Sequence, residues 1–97
     1  MLNRYIRLTM RMTPSTQEKL QAVLKAQDYL IRYERGNFKG GYCIVQDQRV
    51  ILVNKFYPLE SKINTLVDII REIEIDESGL SSDLKHLVHQ IKNTPKE

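Results

Sequence analysis

The chain has 97 residues and a mass of 11.4 kDa, which is room for one domain with one modest core. With 41% hydrophobic and 28% charged residues, four Gly and three Pro, it is not collagen-like, low-complexity or wholly disordered, and no run of 18 apolar residues offers a membrane span. The net charge of +3 traces to Arg4, Arg7 and Arg11, since residues 13–97 carry basic and acidic side chains in equal number. That balance is uneven along the chain: residues 24–58 hold six basic and three acidic side chains, and residues 59–78 hold two basic and six acidic. Such a split gives a domain oppositely charged regions, which bear on partners more than the net charge does.

Residues 1–12 read as a basic N-terminal arm, disordered or dispensable, because translation can begin at Met1, Met10 or Met12. The arm lacks the continuous apolar stretch of a secretory leader. The single Cys43 excludes an intrachain disulfide and a four-cysteine zinc site, and it fits a reducing compartment. The expected location is cytoplasmic, with no membrane partner.

A first helix is expected from Thr13–Ser15 to about Gln27. Pro14 suits a first helical position, Ser15 with Glu18 reads as a capping box, and Leu20, Val23 and Leu24 form the apolar stripe. The period then drops to two. Tyr29, Ile31 and Tyr33 alternate with Leu30, Arg32 and Glu34 as a strand, and Gly36 and Asn37 turn the chain. Tyr42 to Val45 and Val50 to Val53 read as a second and third strand joined by a short polar turn around Asp47, hence antiparallel. The third is the most apolar and β-branched, which places it where both its faces are covered.

Pro58 opens a second helix whose stripe is Leu59, Ile63, Leu66, Ile70 and Ile73, widened by Val67 and Ile69. Asp76 to Gly79 breaks it. Ser81 or Ser82 caps a third helix, with Leu84, Leu87, Val88 and Ile91 inward. It ends at Asn93, and residues 94–97 fray. The fold class is therefore α+β, with a single domain over residues 13–93 in the order α-β-β-β-α-α. Its small, three-stranded, mainly antiparallel sheet is packed against helices. The expected core brings Ile44, Leu52, Leu66 and Ile70 together.

Three groups of residues carry candidate chemistry. Arg35, Phe38, Lys39, Gly40, Gly41 and Tyr42 form a glycine-rich, basic–aromatic segment. It opens a strand rather than a helix, so it is not a P-loop, and its plain reading is a hairpin turn with a glycine bulge. Rings and cations interleaved in this way, with Arg49, Lys55, Phe56 and Tyr57 further on, also suit stacking on bases and contacts to phosphates. His86 and His89 share one face of the last helix, but zinc needs further ligands, so they read as surface residues and no metal or cofactor is expected. Cys43 lies in an apolar strand without an adjacent base, the setting of an inert thiol. Asp68 and Glu72, four apart on the polar side of the second helix, pair as carboxylates can for acid–base or metal work, or form a solvated face.

The run from Arg49 to Asn54, then Pro58 to Glu60, then Ile63 to Asp68, resembles the hairpin-to-helix core of ImmA/IrrE-type metallopeptidases. In that family a strand ending in Asn precedes a Pro-Glu helix start and a Thr-Leu-Ala run before the zinc motif H-E-x-x-H. The resemblance spans residues 44–72. The motif positions here hold Asp68, Ile69, Ile70, Arg71 and Glu72, so it implies a shared core, a remnant site at Asp68 and Glu72, and an inactive member.

The functional expectation is a small non-catalytic domain that binds a protein partner or itself, since exposed sheet edges and faces are usually paired or shielded. The alternatives are RNA or single-strand binding through the segment 32–42, and a degenerate metallopeptidase-like protein.

Overall fold

The structure, a computed structural model, describes residues 10–36, 41–45 and 47–94, with 41–45 described as backbone alone. The first helix, α1, runs Pro14–Ala26. Thr13 caps it rather than Ser15: its hydroxyl accepts from the Thr16 amide at 3.2 Å, and Pro14 takes the first helical position. The helix ends where the Gln27 and Asp28 amides fold back onto the Leu24 and Lys25 carbonyls. Asp28 sits at φ 67°, a left-handed position that aspartate tolerates, and this reverses the chain into the first strand.

The strands are β1 (Tyr29–Glu34), β2 (Gly41–Val45) and β3 (Gln48–Asn54), in the spatial order β1-β3-β2. β2 and β3 form the expected antiparallel hairpin, Val45 opposite Gln48, and Asp47 turns it at φ 65°. β1 instead pairs with β3 in parallel, from Tyr29 opposite Arg49 to Glu34 opposite Asn54. The sheet is thus mixed, its longest ladder is parallel, and the mainly antiparallel expectation is corrected. The hairpin expected across Arg35 to Tyr42 is corrected with it, because β1 and β2 do not pair. Two physical facts favour this order. Residues 35–47 are long enough for the crossover a parallel pair requires, and the most β-branched strand, β3, gains a neighbour on each side.

The second helix, α2, spans Leu59–Glu72, and the third, α3, spans Ser82–Asn93. Ser81 caps α3 by accepting from the Leu84 amide at 3.3 Å. A 3-10 turn, Glu77–Gly79, lies between them. Leu20, Val23 and Leu24 of α1, Ile63, Leu66 and Ile70 of α2, Val88 and Ile91 of α3, and Ile51 and Val53 of β3 form one buried core. Tyr29, Ile31 and Tyr33 of β1 pack against it. Two clamps close the helical layer. Lys92 Nζ donates to the Arg71 and Ile73 carbonyls at the end of α2. The buried Gln27 amide donates to the Asp76 carbonyl at 2.9 Å and accepts from the Asp76 amide at 2.8 Å, tying the end of α1 to the α2–α3 connection.

Both faces of β3 hold buried residues, for Val50 and Asn54 on the side away from the core are 7% and 6% exposed. Ile51 and Val53 are fully buried against the helices, while Leu52 is half-buried and outside the core. Leu66 and Ile70 therefore meet Ile51 and Val53 where Leu52 was expected. The side chain of Ile44, the fourth expected member, lies outside the described residues.

Candidate functional site

Side chains alternate across a strand, and parallel partners share a face. The ladder therefore sorts β1 and β3 into two sets. Tyr29, Ile31, Tyr33, Ile51 and Val53 form the helix-covered face. Leu30 opposite Val50 and Arg32 opposite Leu52, with Glu34 beyond, form the other. On that second face Leu30 is 44% exposed and lies outside the core cluster. Val50, on the same face, is buried at 7% exposure although it stands outside the main core cluster. Its neighbour Arg32 forms an ion pair with Glu34 at 2.8 Å, a second contact at 3.0 Å coming from its Nε.

At the carboxyl ends of the parallel strands the chain gathers part of the basic–aromatic set. Asn54, buried at the end of β3, donates from its side-chain amide to the Gly36 carbonyl at 2.9 Å and accepts from the Phe56 amide at 3.0 Å. The Lys55 amide donates to the Glu34 carbonyl. These bonds hold the exits of β1 and β3 together and set the Arg35 guanidinium over the exposed Phe56 ring, 5.5 Å from its centroid. Gly36 has φ 148°, open to glycine and strained for a side chain. Of the remaining segment residues, Phe38, Lys39 and Gly40 lie outside the described residues, and Gly41 and Tyr42 are seen only as ladder positions opposite Leu52 and Ile51.

Next to this cluster, Tyr33 donates its hydroxyl proton to Gln21 and accepts from the Gln17 amide at 2.8 Å, with Lys62 over its ring. Burial pushes the Tyr33 phenol above its ordinary pKa, partly offset by the Gln17 hydrogen bond.

Asp68 and Glu72 stand exposed on α2, with Ile69 and Ile70 buried on the opposite side. The structure does not bring the two carboxylates together with the basic–aromatic residues it describes, and among the described residues no group of three or more His, Cys, Asp and Glu is placed to hold a metal. His86 is exposed. His89 instead reaches both carboxylate oxygens of Glu77, at 3.0 and 2.9 Å, and so joins α3 to the 3-10 turn. At the amino ends of β1 and β3, a polar cleft of about 430 Å³ is lined by Gln27, Asp28, Arg49, Glu74 and Asp76, with Ala26 and Ile75. There Arg49 donates to the Gln27 carbonyl at 3.0 Å and lies over the Tyr29 ring, and the Ser78 hydrogen bond holds the Asp76 carboxyl below its usual range.

This cleft is the feature that sequence reasoning did not place. On the sheet, β1 alternates cleanly, but β3 is apolar at four successive positions, Val50 to Val53, so one apolar pair lies on the face away from the helices. The cleft depends on Gln27 meeting Asp76, a contact across 49 positions with no local signature.

Comparison with protein families, with curated proteins and with solved structures gives no match. No helix of the described residues is long and apolar enough to cross a membrane.

Proposed function

We propose that the chain is a small cytoplasmic protein-binding domain that acts through the sheet face opposite its helices and performs no catalysis of its own. The observation that carries this reading is Leu30, 44% exposed on the sheet face opposite the core, next to the half-buried Leu52. An exposed leucine keeps hydrocarbon against water, and covering it is favourable in proportion to the area removed. A second reading rests on a separate observation. Arg35 over Phe56, next to Lys55, offers a stacking ring with two cations, the composition of a single-strand nucleic-acid platform.

Affinity capture with three baits separates the two readings. The wild type, Leu30→Glu, and the double variant Arg35→Ala/Lys55→Ala are compared, and each captured protein is then purified and titrated directly. A protein that binds the wild type and the double variant but not Leu30→Glu supports the open-face reading. Nuclease-sensitive capture lost only in the double variant supports the second. Direct binding equal for wild type and Leu30→Glu would remove the open face as the docking surface.

A further inference from the structure

We infer that the exits of β1 and β3 hold one unpaired base of a single-stranded nucleic acid, stacked on Phe56 with the phosphates of its strand on Arg35 and Lys55, an assignment that rests on the second reading above. Phe56 is 63% exposed, more than any other large hydrophobic side chain among the described residues. Arg35 stands over one face of its ring, 5.5 Å from the centroid, and the ring surface left to water suits a second planar group. A guanidinium stacked in this way keeps its N–H donors in its own plane, directed past the ring, where phosphate oxygens can accept them. Lys55, next to Phe56 in the chain, is a second exposed cation. Among the described residues neither cation is in an ion pair, and Glu34, beside Arg35, is already engaged by Arg32 at 2.8 Å.

The cation and the ring are held in place before anything binds. Asn54, 6% exposed, donates to the Gly36 carbonyl and accepts from the Phe56 amide, while the Lys55 amide donates to the Glu34 carbonyl. The backbone on each side of Arg35 is thereby tied to the segment that carries Lys55 and Phe56. Preorganisation of this kind lowers the ordering cost of binding. The chemistry also selects the ligand. An exposed ring stacks on an unpaired base, whereas a base within a duplex has no free face. Two cations on two strand exits suit successive phosphates, so a strand gains contacts that a free nucleotide lacks. Stacking accepts every base, so binding is tolerant of sequence.

The experiment is fluorescence anisotropy of a short, labelled, mixed-sequence single-stranded RNA, from ~50 mM to ~200 mM salt. The proteins are the wild type, Phe56→Ala, Phe56→Tyr, Arg35→Ala, Lys55→Ala and, as a charge control, Lys19→Ala, which removes a cation of α1 paired with Asp83. Thermal unfolding of each confirms that it is folded. Phe56→Ala is expected to weaken binding about tenfold or more, the loss of one stacked base, and Phe56→Tyr to retain it. Arg35→Ala and Lys55→Ala should each flatten the slope of log affinity against log salt by about 0.7, the share of one phosphate in a single strand, and Lys19→Ala should leave it unchanged. A duplex of the same sequence and a nucleoside monophosphate are both expected to compete weakly. Binding unchanged in Phe56→Ala would overturn the inference, and so would a duplex or a monophosphate that competes as well as the strand. Salt-dependent binding that ignores Phe56 would leave the nucleic-acid reading standing at another place on the chain. No binding of the strand even at ~50 mM salt would remove both.

Discussion

The two faces of one sheet have opposite fates, although their strands are built from the same residue types. Ile51 and Val53 are fully buried under α1 and α2, whereas Leu52, between them, is half-buried and Leu30 opposite Val50 is 44% exposed. Hydrophobicity along β3 does not distinguish the two. What distinguishes them is that all three helices contribute to a single core on one side. A domain of this size has enough helix to build one core against one face of the sheet.

The largest effects that test this comparison come from the covered side. Leu66→Ala or Ile51→Ala is expected to destabilise by about 2–5 kcal/mol, because each removes a fully buried side chain from a packed core. Leu52→Ala should cost about 1 kcal/mol or less in the monomer, as for a side chain that is only partly withdrawn from water. Urea unfolding of the three variants measures the contrast, and equal losses at Ile51 and Leu52 would show that both faces are covered. Next in size is the clamp between α1 and the α2–α3 connection. Gln27→Ala leaves the Asp76 amide and carbonyl without their partners and is expected to cost about 1–3 kcal/mol.

Tyr33 gives a smaller effect with a pH signature. Its phenol is raised above the ordinary value of 10.0 mainly by burial. The unfolded chain therefore ionises first as pH rises. The stabilisation is complete below about pH 10 and is lost as pH climbs through the higher folded value. Tyr33→Phe should lower stability by about 1 kcal/mol at neutral pH, through the lost Gln17 and Gln21 contacts, and should flatten the decline at alkaline pH. A wild-type alkaline slope equal to that of Tyr33→Phe would place the ring in water.

The smallest effects belong to the exposed carboxylates. Asp68→Ala and Glu72→Ala should each stay within about 0.5 kcal/mol, as for surface changes that touch no special feature. A loss of several degrees in melting temperature would mean that α2 presents this face to something.

Much of the fold was legible because its cause is local. The Leu66–Ile70 spacing places two residues one helical turn apart on one face, and both are buried in the core. The Pro14 start, the Ser81 cap and the tight β2–β3 turn likewise depend on residues within a few positions of each other. The Arg35–Phe56 stack was only half visible. Both residues belonged to the basic–aromatic set, but their meeting depends on Asn54 joining the exits of two strands.

The sequence by itself determined where helices start and which helical residues turn inward, since turn chemistry and a 3.6-residue period act over distances the chain spans locally. Strand order and facing were decided by the tertiary structure. A period of two assigns alternate residues to opposite faces without saying which face the helices will cover, and a short apolar run satisfies either choice. Likewise, β1 found its partner in β3 rather than in the adjacent β2, because pairing across a long connection is selected by the burial it completes. Which side of Val50 to Val53 meets the helices therefore follows from the packing of three helices against one face of a mixed sheet.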